Sequence, residues 1–333
     1  MTVPLPPNTG VTESSVGDEG LRRLTIGILA LQGAFVEHAS VLAGLGADVR
    51  QVRLPEEFEG LDGIVLPGGE STAMALIGER WGVFPRLKRW VSEGRPVWGT
   101  CAGLILLSDH ALMTKKGGQS LVGGLNVEVC RNYFGAQKSS FEVPLDTSKL
   151  GLDSADMKGE GARPYPAVFI RAPAVLEVGA GIDVLCKVRA RPCSKAVAVM
   201  NAQLQAQETA EKEGAAAAAG GSAAGDDGSK DAPSAKRRRL ASFFVASESE
   251  SAAGAGAGSE EPPEVIVAVR KGNIVGTAFH PELTNDSRWH KYFLNIVKEA
   301  VQAAEGGCEG ATGPPAVAVV EGLETARVAN VVA

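Results

Sequence analysis

A single cysteine stands at the centre of the turn Gly99–Gly103, between one apolar run that precedes the turn and another that follows it. The pattern predicts a strand, a tight turn and a helix, because glycine tolerates the strained backbone and the close packing that such a turn needs. At a helix N-terminus the dipole and the free amides favour a thiolate over a thiol. Cys101 is therefore a candidate nucleophile, and an inert core cysteine is the alternative on spacing alone.

Apolar strand-like runs alternate with helix-like segments through the first part of the chain. This alternation predicts a single three-layer α/β domain, with a central, mostly parallel sheet and a site at the carboxyl ends of its strands. Later runs are shorter and are expected to pair antiparallel, and the final helix is predicted at Ser287–Gln302. The predicted strands are Thr25–Leu31, Asp48–Val52, Gly63–Leu66, Val97–Gly99, Val127–Arg131, Phe141–Val143, Ala167–Ile170 and Val184–Val188, and the first helices are Val36–Leu45 and Phe84–Ser92.

A base for the thiol is predicted where a β-like run from Glu264 to Phe279 ends in His280-Pro281-Glu282. In an extended segment residues i and i+2 point to one side, and Pro281 favours extension at the residue before it. Glu282 can therefore reach the far nitrogen of His280. Cys101, His280 and Glu282 would then be nucleophile, base and orienting carboxylate. The alternative interpretation is a surface His-Pro-Glu turn.

An oxyanion stabiliser is expected where the apolar run Gly63–Leu66 breaks at the pair Gly68-Gly69. The alternative is an ordinary strand-to-helix loop. Beside a cysteine turn at the same sheet edge, this loop can offer a backbone N–H to a developing oxyanion, with the amide of Ala102 as the second donor. We assign the first donor to Gly69.

These residues resemble a known family. The triad of Cys101, His280 and Glu282 is similar to that of class I glutamine amidotransferases. Five further blocks, in order, resemble the glutaminase subunit of pyridoxal 5′-phosphate synthase, and the resemblance covers about two thirds of the chain. The blocks are Gly27–His38, Leu66–Thr72, Arg131–Gly135, Phe169–Pro173 and Phe279–Thr284.

The resemblance implies a class I glutamine amidotransferase fold of the flavodoxin-like kind and hydrolysis of L-glutamine to L-glutamate and ammonia. It implies that Gly69, Glu70, Ser71, Arg131, Ile170 and Arg171 bind glutamine. An arginine fork and an acidic partner suit a free amino acid, which carries a carboxylate and an ammonium. The implied partner is the synthase subunit, a (β/α)₈ barrel, in a large hetero-oligomer, with no cofactor on this chain.

The composition favours an intracellular enzyme. An apolar share of 44% is enough for a core, and the net charge of −6 argues against a nucleic-acid partner. The chain has five cysteines without C-x-x-C spacing, which predicts reduced thiols and gives no metal signature. No apolar run approaches the roughly 20 residues of a membrane span. We therefore expect a cytoplasmic location and no membrane partner.

The resemblance implies an amidotransferase domain at residues 24–195 and 264–303. From composition, residues 1–23 are expected to be a disordered leader and residues 304–333 a C-terminal tail. The Ala/Gly/Ser/Glu-rich stretch 196–263 is expected to be a disordered insertion, because it cannot bury enough apolar surface. Its basic run Lys236–Arg239 is interpreted as a solvated patch, with a nuclear import signal and a nuclear fraction as the alternative.

Two other functions stay open at this point. A glutaminase subunit of a different amidotransferase would keep Cys101, His280 and Glu282 but should lack the blocks Arg131–Gly135 and Phe169–Pro173. A cysteine peptidase of related fold would need an open groove rather than a small amino-acid pocket. A non-catalytic subunit is disfavoured because all three triad residues are present.

Overall fold

The computed structural model describes residues 22–114, 118–135, 140–152, 163–219 and 261–306. Its strands are β1 Thr25–Leu29, β2 Asp48–Val52, β3 Gly63–Leu66, β4 Val97–Thr100, β5 His110–Leu112, β6 Val127–Cys130, β7 Phe141–Leu145, β8 Tyr165–Phe169, β9 Ala174–Val178, β10 Asp183–Arg189, β11 Glu264–Lys271 and β12 Ile274–Thr277. Its α-helices are α1 Phe35–Gly44, α2 Ser71–Arg80, α3 Val83–Ser92, α4 Ala102–Leu107, α5 Ser194–Ala219 and α6 Arg288–Gly306.

A large sheet forms the centre of the described structure, in the order β2-β1-β3-β4-β12-β11-β9-β6-β5, with β10 beside β11. The first five strands in this order pair in parallel. Because parallel strands end at the same edge, the turns that follow β3, β4 and β12 come together there. The predicted α/β fold with a mostly parallel central sheet is confirmed.

Helices cover both faces of this sheet. Trp98 and Gly99 are adjacent in β4 and therefore face opposite sides. The Trp98 ring packs against His38 of α1 and Phe293 of α6, with ring centroids 5.4 and 5.7 Å apart. On the other side, Gly99 approaches the backbone of Gly103 in α4 so closely that a Cβ would overlap it. The domain consequently has three layers.

The four later strands predicted from short runs, β6, β7, β8 and β10, each pair antiparallel with a neighbour, as expected, and β6 also pairs in parallel with β5. β6 pairs with β9, β10 with β11, and β7 with β8 in a separate two-stranded sheet. Strands β5 and β9 are not among the predicted strands. β9 directly follows the block Phe169–Pro173, and its apolar run Ala174–Leu176 is too short to stand out as a strand.

The expectation of disorder from residue 196 is wrong at its start, because α5 occupies Ser194–Ala219. Its first turns join the core: Ala196 is fully buried, Met200 is nearly so, and Gln203 donates a hydrogen bond to Glu128 in β6 at 3.0 Å. A few apolar residues on one helical face are enough to dock a helix onto an existing core. The Ala/Gly/Ser/Glu-rich composition of the whole stretch 196–263 predicted disorder and gave no weight to the few apolar residues of this face.

The ends of the domain also differ by a few residues from the prediction. Arg22 belongs to the described structure, where its guanidinium makes two hydrogen bonds of 2.7 Å to Asp62, and α6 continues to Gly306. The rest of the expected leader, most of the expected tail and the basic run Lys236–Arg239 lie outside the described residues. Across the described part of the chain, no helix has the length and apolar character of a membrane span.

Candidate active site

Cys101 sits between β4 and α4 in a strained backbone conformation. Its φ of 47° and ψ of −96° lie outside the regions that non-glycine residues usually adopt. The conformation is held by a backbone hydrogen bond of 2.8 Å from Cys101 N to Thr277 O in β12. The two glycines of the turn allow close packing on either side, since a Cβ on Gly103 would overlap the Leu66 carbonyl oxygen. The predicted strand, turn and helix around Cys101 are confirmed.

His280 reaches Cys101 because β12 lies beside β4. The two strands pair in parallel with Thr277 opposite Thr100, so the chain beyond Thr277 continues past the cysteine turn. A backbone hydrogen bond of 2.9 Å from His280 N to Val168 O fixes the segment. The His280 side chain lies close enough to Cys101 for the thiol to raise the pKa of the imidazole, and its Nδ1 lies 2.8 Å from Glu282 Oε1. The structure thus brings Cys101, His280 and Glu282 together in the predicted order.

The electrostatics of His280 suit a proton acceptor beside a thiol. Burial lowers the pKa of His280, but hydrogen bonds to Cys101 and Glu282 and the charges of both outweigh burial and raise that pKa to about 10. A proton that leaves Cys101 can therefore stay on His280, in the form that the Glu282 carboxylate stabilises.

The predicted oxyanion donors both lie next to Cys101 in the structure. Gly69 lines the same cavity as Cys101, and Ala102 is the first residue of α4, so its N–H has no intrahelical acceptor. The Gly68-Gly69 turn is held by the loop before α1: Ala34 N donates to Gly68 O at 3.0 Å, and Glu70 N donates to Gln32 Oε1 at 2.7 Å.

One small cavity, of about 160 Å³, gathers nearly all of the predicted site. This volume is below the roughly 300–1,000 Å³ of pockets for drug-sized ligands and suits a single small molecule. Ala102 and Glu282 are the predicted residues that do not line it. The lining is Gly69, Glu70, Ser71, Cys101, Ile105, Arg131, Asn132, Ile170, Arg171 and His280.

Arg131 and Glu70 form the charged end of the cavity. Arg131 Nη2 lies 3.1 Å from Glu70 Oε1, and the Arg131 Nε atom is buried without a hydrogen-bond partner. Glu70 also caps α2, accepting from Thr72 N and Ala73 N at 3.1 and 2.8 Å. Burial raises the pKa of Glu70, but these backbone donors and Arg131 together lower it by more than burial raises it, so the pKa lies below its ordinary value. Arg131 is thus held by a carboxylate and keeps a free donor.

Backbone strain concentrates around this cavity. Among the described residues, four non-glycine residues have a positive φ, and three of them, Cys101, Asn132 and Arg171, line it. Strained residues of this kind persist where a functional geometry requires them. A larger cavity of about 500 Å³, between β8 and the segment that follows Glu282, contains none of the predicted site residues.

Several residues of the site are not among the predicted ones. Ile105 and Asn132 line the cavity. Ile105 lies two residues after the cysteine turn, and Asn132 lies inside the block Arg131–Gly135, for which only Arg131 had been assigned a binding role. His38 and His290 were not assigned a role, yet His38 Nε2 lies 3.3 Å from Glu282 Oε2 and His290 Nε2 lies 3.0 Å from His38 Nδ1. His38 lies in one of the recognised blocks, whereas His290 carries no local signal beyond its place on an apolar helix face.

The known proteins that this chain resembles are glutamine amidotransferases and subunits of pyridoxal 5′-phosphate synthase. The model of the SNO glutamine amidotransferase family matches residues 28–209, more than half of the chain. A probable pyridoxal 5′-phosphate synthase subunit PDX2 of Arabidopsis thaliana is 40% identical over 285 residues, covering 84% of this chain and 89% of that protein. The pyridoxal 5′-phosphate synthase subunit PdxT of an Arthrobacter species is 34% identical over 297 residues, covering 88% and 98%.

A solved structure gives the same result. The crystal structure of a glutamine amidotransferase is 28% identical in sequence, superimposes with a TM-score of 0.52 and covers 82% of this chain and 98% of that chain. Almost the whole of that protein therefore has a counterpart in the fold described above.

Proposed function

Because this chain belongs to the SNO glutamine amidotransferase family, we propose that it hydrolyses L-glutamine to L-glutamate and ammonia in the cavity beside Cys101, for pyridoxal 5′-phosphate synthesis. One observation carries the proposal. A single cavity of about 160 Å³ is lined by the nucleophile, the base and every residue that the family resemblance implied for glutamine binding. The strand order brings these groups together from five separate stretches of sequence.

The reaction begins with Cys101. Its sulfur attacks the side-chain amide carbon of glutamine, and the thiol proton passes to His280, which accepts it while Glu282 holds the ring from Nδ1. The negative charge that develops on the amide oxygen is stabilised by the N–H groups of Gly69 and Ala102.

The tetrahedral intermediate collapses when His280 gives its proton to the departing nitrogen, so ammonia leaves and a thioester joins Cys101 to the glutamyl group. Water, deprotonated by His280, then attacks the thioester. The carbon–sulfur bond breaks, glutamate is released, and the proton returns to the thiolate.

The charged end of the cavity holds the amino-acid part of glutamine. The free Nε donor of Arg131 is suited to the α-carboxylate, and Glu70 holds the guanidinium in place rather than leaving it to solvent. Ser71, Ile170 and Arg171 complete the lining. These residues would contribute mainly to KM.

The partner follows from the fate of ammonia. Released into water at neutral pH, ammonia becomes ammonium and is no longer a nucleophile, so a glutaminase that supplies ammonia to a synthesis needs the synthase active site beside it. The names of the relatives support such a subunit role. We propose that this partner is a (β/α)₈ barrel in a large hetero-oligomer, and that docking acts on the oxyanion turn through Gln32, which bonds to that turn.

Two alternatives can be weighed against specific observations. A cysteine peptidase needs an extended groove, and the small cavity beside Cys101 disfavours it. A glutaminase for another synthase is disfavoured by Arg131 and Arg171, whose blocks resemble the pyridoxal phosphate branch and line this cavity.

The location stays a proposal as well. We propose that the protein works in the cytoplasm, since Cys101, Cys130, Cys186 and Cys193 are free thiols in the described structure. Staining of the tagged full-length chain in cells would test this expectation, and accumulation in an oxidising compartment would contradict it.

The function is tested by an ammonia-release assay on the full chain, with and without the synthase subunit, for the wild type and Cys101→Ala. We expect ammonia and glutamate in equal amounts from the wild type, stimulation by the synthase, and none from Cys101→Ala. Equal ammonia release from both proteins, or peptide cleavage without glutamine hydrolysis, would contradict the proposal.

A further inference from the structure

Three of the four histidines of the chain lie in one buried group, which consists of His280 of the triad and two histidines behind it. His38, in α1, and His290, in α6, are both fully buried, and they meet at 3.0 Å between His38 Nδ1 and His290 Nε2. His280 belongs to the triad itself. The fourth histidine, His110, is exposed on β5 and far from this group in the fold.

Glu282 connects the group to the triad. Its carboxylate is fully enclosed, with Oε1 at 2.8 Å from His280 Nδ1 and Oε2 at 3.3 Å from His38 Nε2. Oε2 has no well-aligned hydrogen bond in the described structure. A buried carboxylate oxygen without a donor is costly, and His38 Nε2 is the polar atom next to it. Catalytic hydrogen bonds are commonly loose before substrate binds and tighten afterwards.

The protons of the group can be assigned from the chemistry of the atoms. A carboxylate only accepts, so His38 must present N–H at Nε2, and its Nδ1 is then an acceptor. His290 must donate to that Nδ1 from its own Nε2. This leaves His290 Nδ1 as an acceptor, and that buried atom has no described partner. A chain of hydrogen bonds that ends in a buried unpaired acceptor costs less free energy than one that ends in a buried unpaired N–H donor.

Both outer histidines are neutral in this arrangement. Burial, followed by the nearby His290 and His280, lowers the pKa of His38 well below its ordinary value. Burial lowers the pKa of His290 to about 3. Each ring therefore offers one N–H and one acceptor, as the chain of hydrogen bonds requires.

We propose that His38 and His290 are positioning residues of the glutaminase reaction: His38 holds the second oxygen of Glu282, and His290 fixes the tautomer in which His38 can do so. The proposal rests on the proposed function of the triad. A carboxylate held at both oxygens has one orientation, and it keeps His280 aimed at Cys101. In the described structure the well-aligned partner of His38 Nε2 is the Thr100 hydroxyl at 3.2 Å, and Glu282 Oε2 lies 3.3 Å from the same nitrogen. The proposal therefore requires the N–H of His38 to turn from Thr100 toward Oε2 during the reaction.

The rings also pack against Trp98, so a merely structural role must be separated from a positioning one. Matched substitutions can do this. A glutamine amide nitrogen reaches about as far as histidine Nε2, whereas the shorter asparagine amide reaches only as far as Nδ1. His38→Gln and His290→Gln therefore keep a donor where the chain needs it. His38→Asn and His290→Asn do not, although they are equally polar.

The experiment measures kcat and KM for L-glutamine in the full chain with the synthase subunit present. We expect His38→Gln and His290→Gln to keep kcat within about threefold of the wild type, and His38→Asn to lower kcat by about 10- to 100-fold. His290→Asn should lower kcat by a smaller factor. KM should stay unchanged, because neither residue lines the cavity, and His110→Gln is the exposed control.

A second measurement asks whether His38 acts through Glu282. In a Glu282→Gln background, adding His38→Asn should lower kcat by less than about twofold, because the group that His38 positions has already been lost. Multiplication of the two single effects in the double variant would overturn the proposal, as would equal kcat values for the asparagine and glutamine variants.

Folding and the underlying function are controlled separately. If His38→Asn does not fold, as judged by its thermal unfolding midpoint, the variants His290→Gln and His290→Asn provide the same comparison, since His290 acts on Glu282 through His38. Failure of the proposed function would appear as an inactive wild type or an active Cys101→Ala. Failure of the present proposal would appear as an active wild type, an inactive Cys101→Ala and no difference within either pair.

Discussion

The two sides of the His280 ring lie in different surroundings. On one side Cys101 opens onto a cavity lined by polar and charged groups from loops, among them Arg131 and Arg171. On the other side Glu282, His38 and His290 are enclosed by helices and by Trp98. The cavity side must admit and release a small molecule, so it is built from loops. The enclosed side only has to hold one carboxylate still, so it is built into the core.

This difference separates the expected effects of substitution. Changes on the cavity side should alter either chemistry or glutamine affinity, depending on the atom removed. Changes on the enclosed side should alter the rate through geometry, and the stability of the fold through the burial of titratable groups.

The largest effect is expected on the cavity side, at the nucleophile. Cys101→Ala should lower glutaminase activity by at least about 10⁴-fold, because no other group can form the thioester. Cys101→Ser should be comparably inactive, since a hydroxyl is a far weaker nucleophile beside the same base. Ammonia release measures the effect, and an unchanged circular dichroism spectrum controls for folding. Substantial activity in a pure Cys101→Ala preparation would end the assignment.

The next largest loss of activity is expected for His280 and Glu282, where the cavity side meets the enclosed side. His280→Asn should be nearly as damaging as loss of the nucleophile, whereas Glu282→Gln should cost about ten- to a hundredfold less, because an orienting group contributes less than the base it holds. Steady-state kcat values for the two variants check this order. A Glu282→Gln protein less active than His280→Asn would contradict it.

A change in affinity is expected at the charged end of the cavity. Arg131→Lys keeps the charge but loses the planar fork, so KM for glutamine should rise by roughly 10- to 100-fold with little change in kcat. The exposed residue Arg89, which pairs with Glu93 on α3, offers a control: Arg89→Lys should leave both constants unchanged. A fall in kcat without a rise in KM would argue that Arg131 does not hold the substrate.

The smallest expected effect concerns the enclosed side and is seen in stability. Burial lowers the pKa of His290 to about 3, from an ordinary value near 6.5 that the unfolded chain regains. Below pH 6.5 the unfolded state therefore binds a proton that the folded state refuses. Stability therefore falls as the pH decreases below 6.5, with a slope for each such histidine that approaches about 1.4 kcal/mol per pH unit only well below that pH.

Urea unfolding at pH 7, 6 and 5 measures this slope. His290→Gln should lose about one histidine's share of it, and His110→Gln should keep the wild-type dependence. Equal slopes for the wild type and His290→Gln would contradict the buried, neutral assignment of His290.

The sequence predicts the cavity side better than the enclosed side, for a physical reason. Cys101, His280 and Glu282 could be identified because each stands in a short turn whose glycine or proline reveals its backbone. Arg131 and Arg171 could be found only through family resemblance, because an isolated arginine in a sequence looks the same in a pocket as on a surface. The two arginines come together at the cavity only because strands β6 and β8 end beside it.

His290 and helix α5 show the limits of local patterns. On α6, the spacing of His290 fits the same buried face as Trp289 and Phe293, so nothing marks it as a hydrogen-bonding residue. Its contact with His38 arises only when α1 and α6 cover the same face of the sheet. The first turns of α5 were predicted wrongly because the alanine-rich sequence that follows them dominates the composition of the stretch. The two buried apolar residues Ala196 and Met200 therefore gave no visible signal.

The most direct test of the central claim is covalent labelling with an electrophilic glutamine analogue that carries a diazoketone in place of the side-chain amide. Burial raises the pKa of Cys130 and Cys186 to about 12, which keeps them unreactive and makes them internal controls. We expect one adduct per chain by mass spectrometry, located at Cys101, prevented by excess L-glutamine and absent from Cys101→Ala. An adduct on another cysteine in preference to Cys101, or labelling that L-glutamine does not prevent, would contradict it.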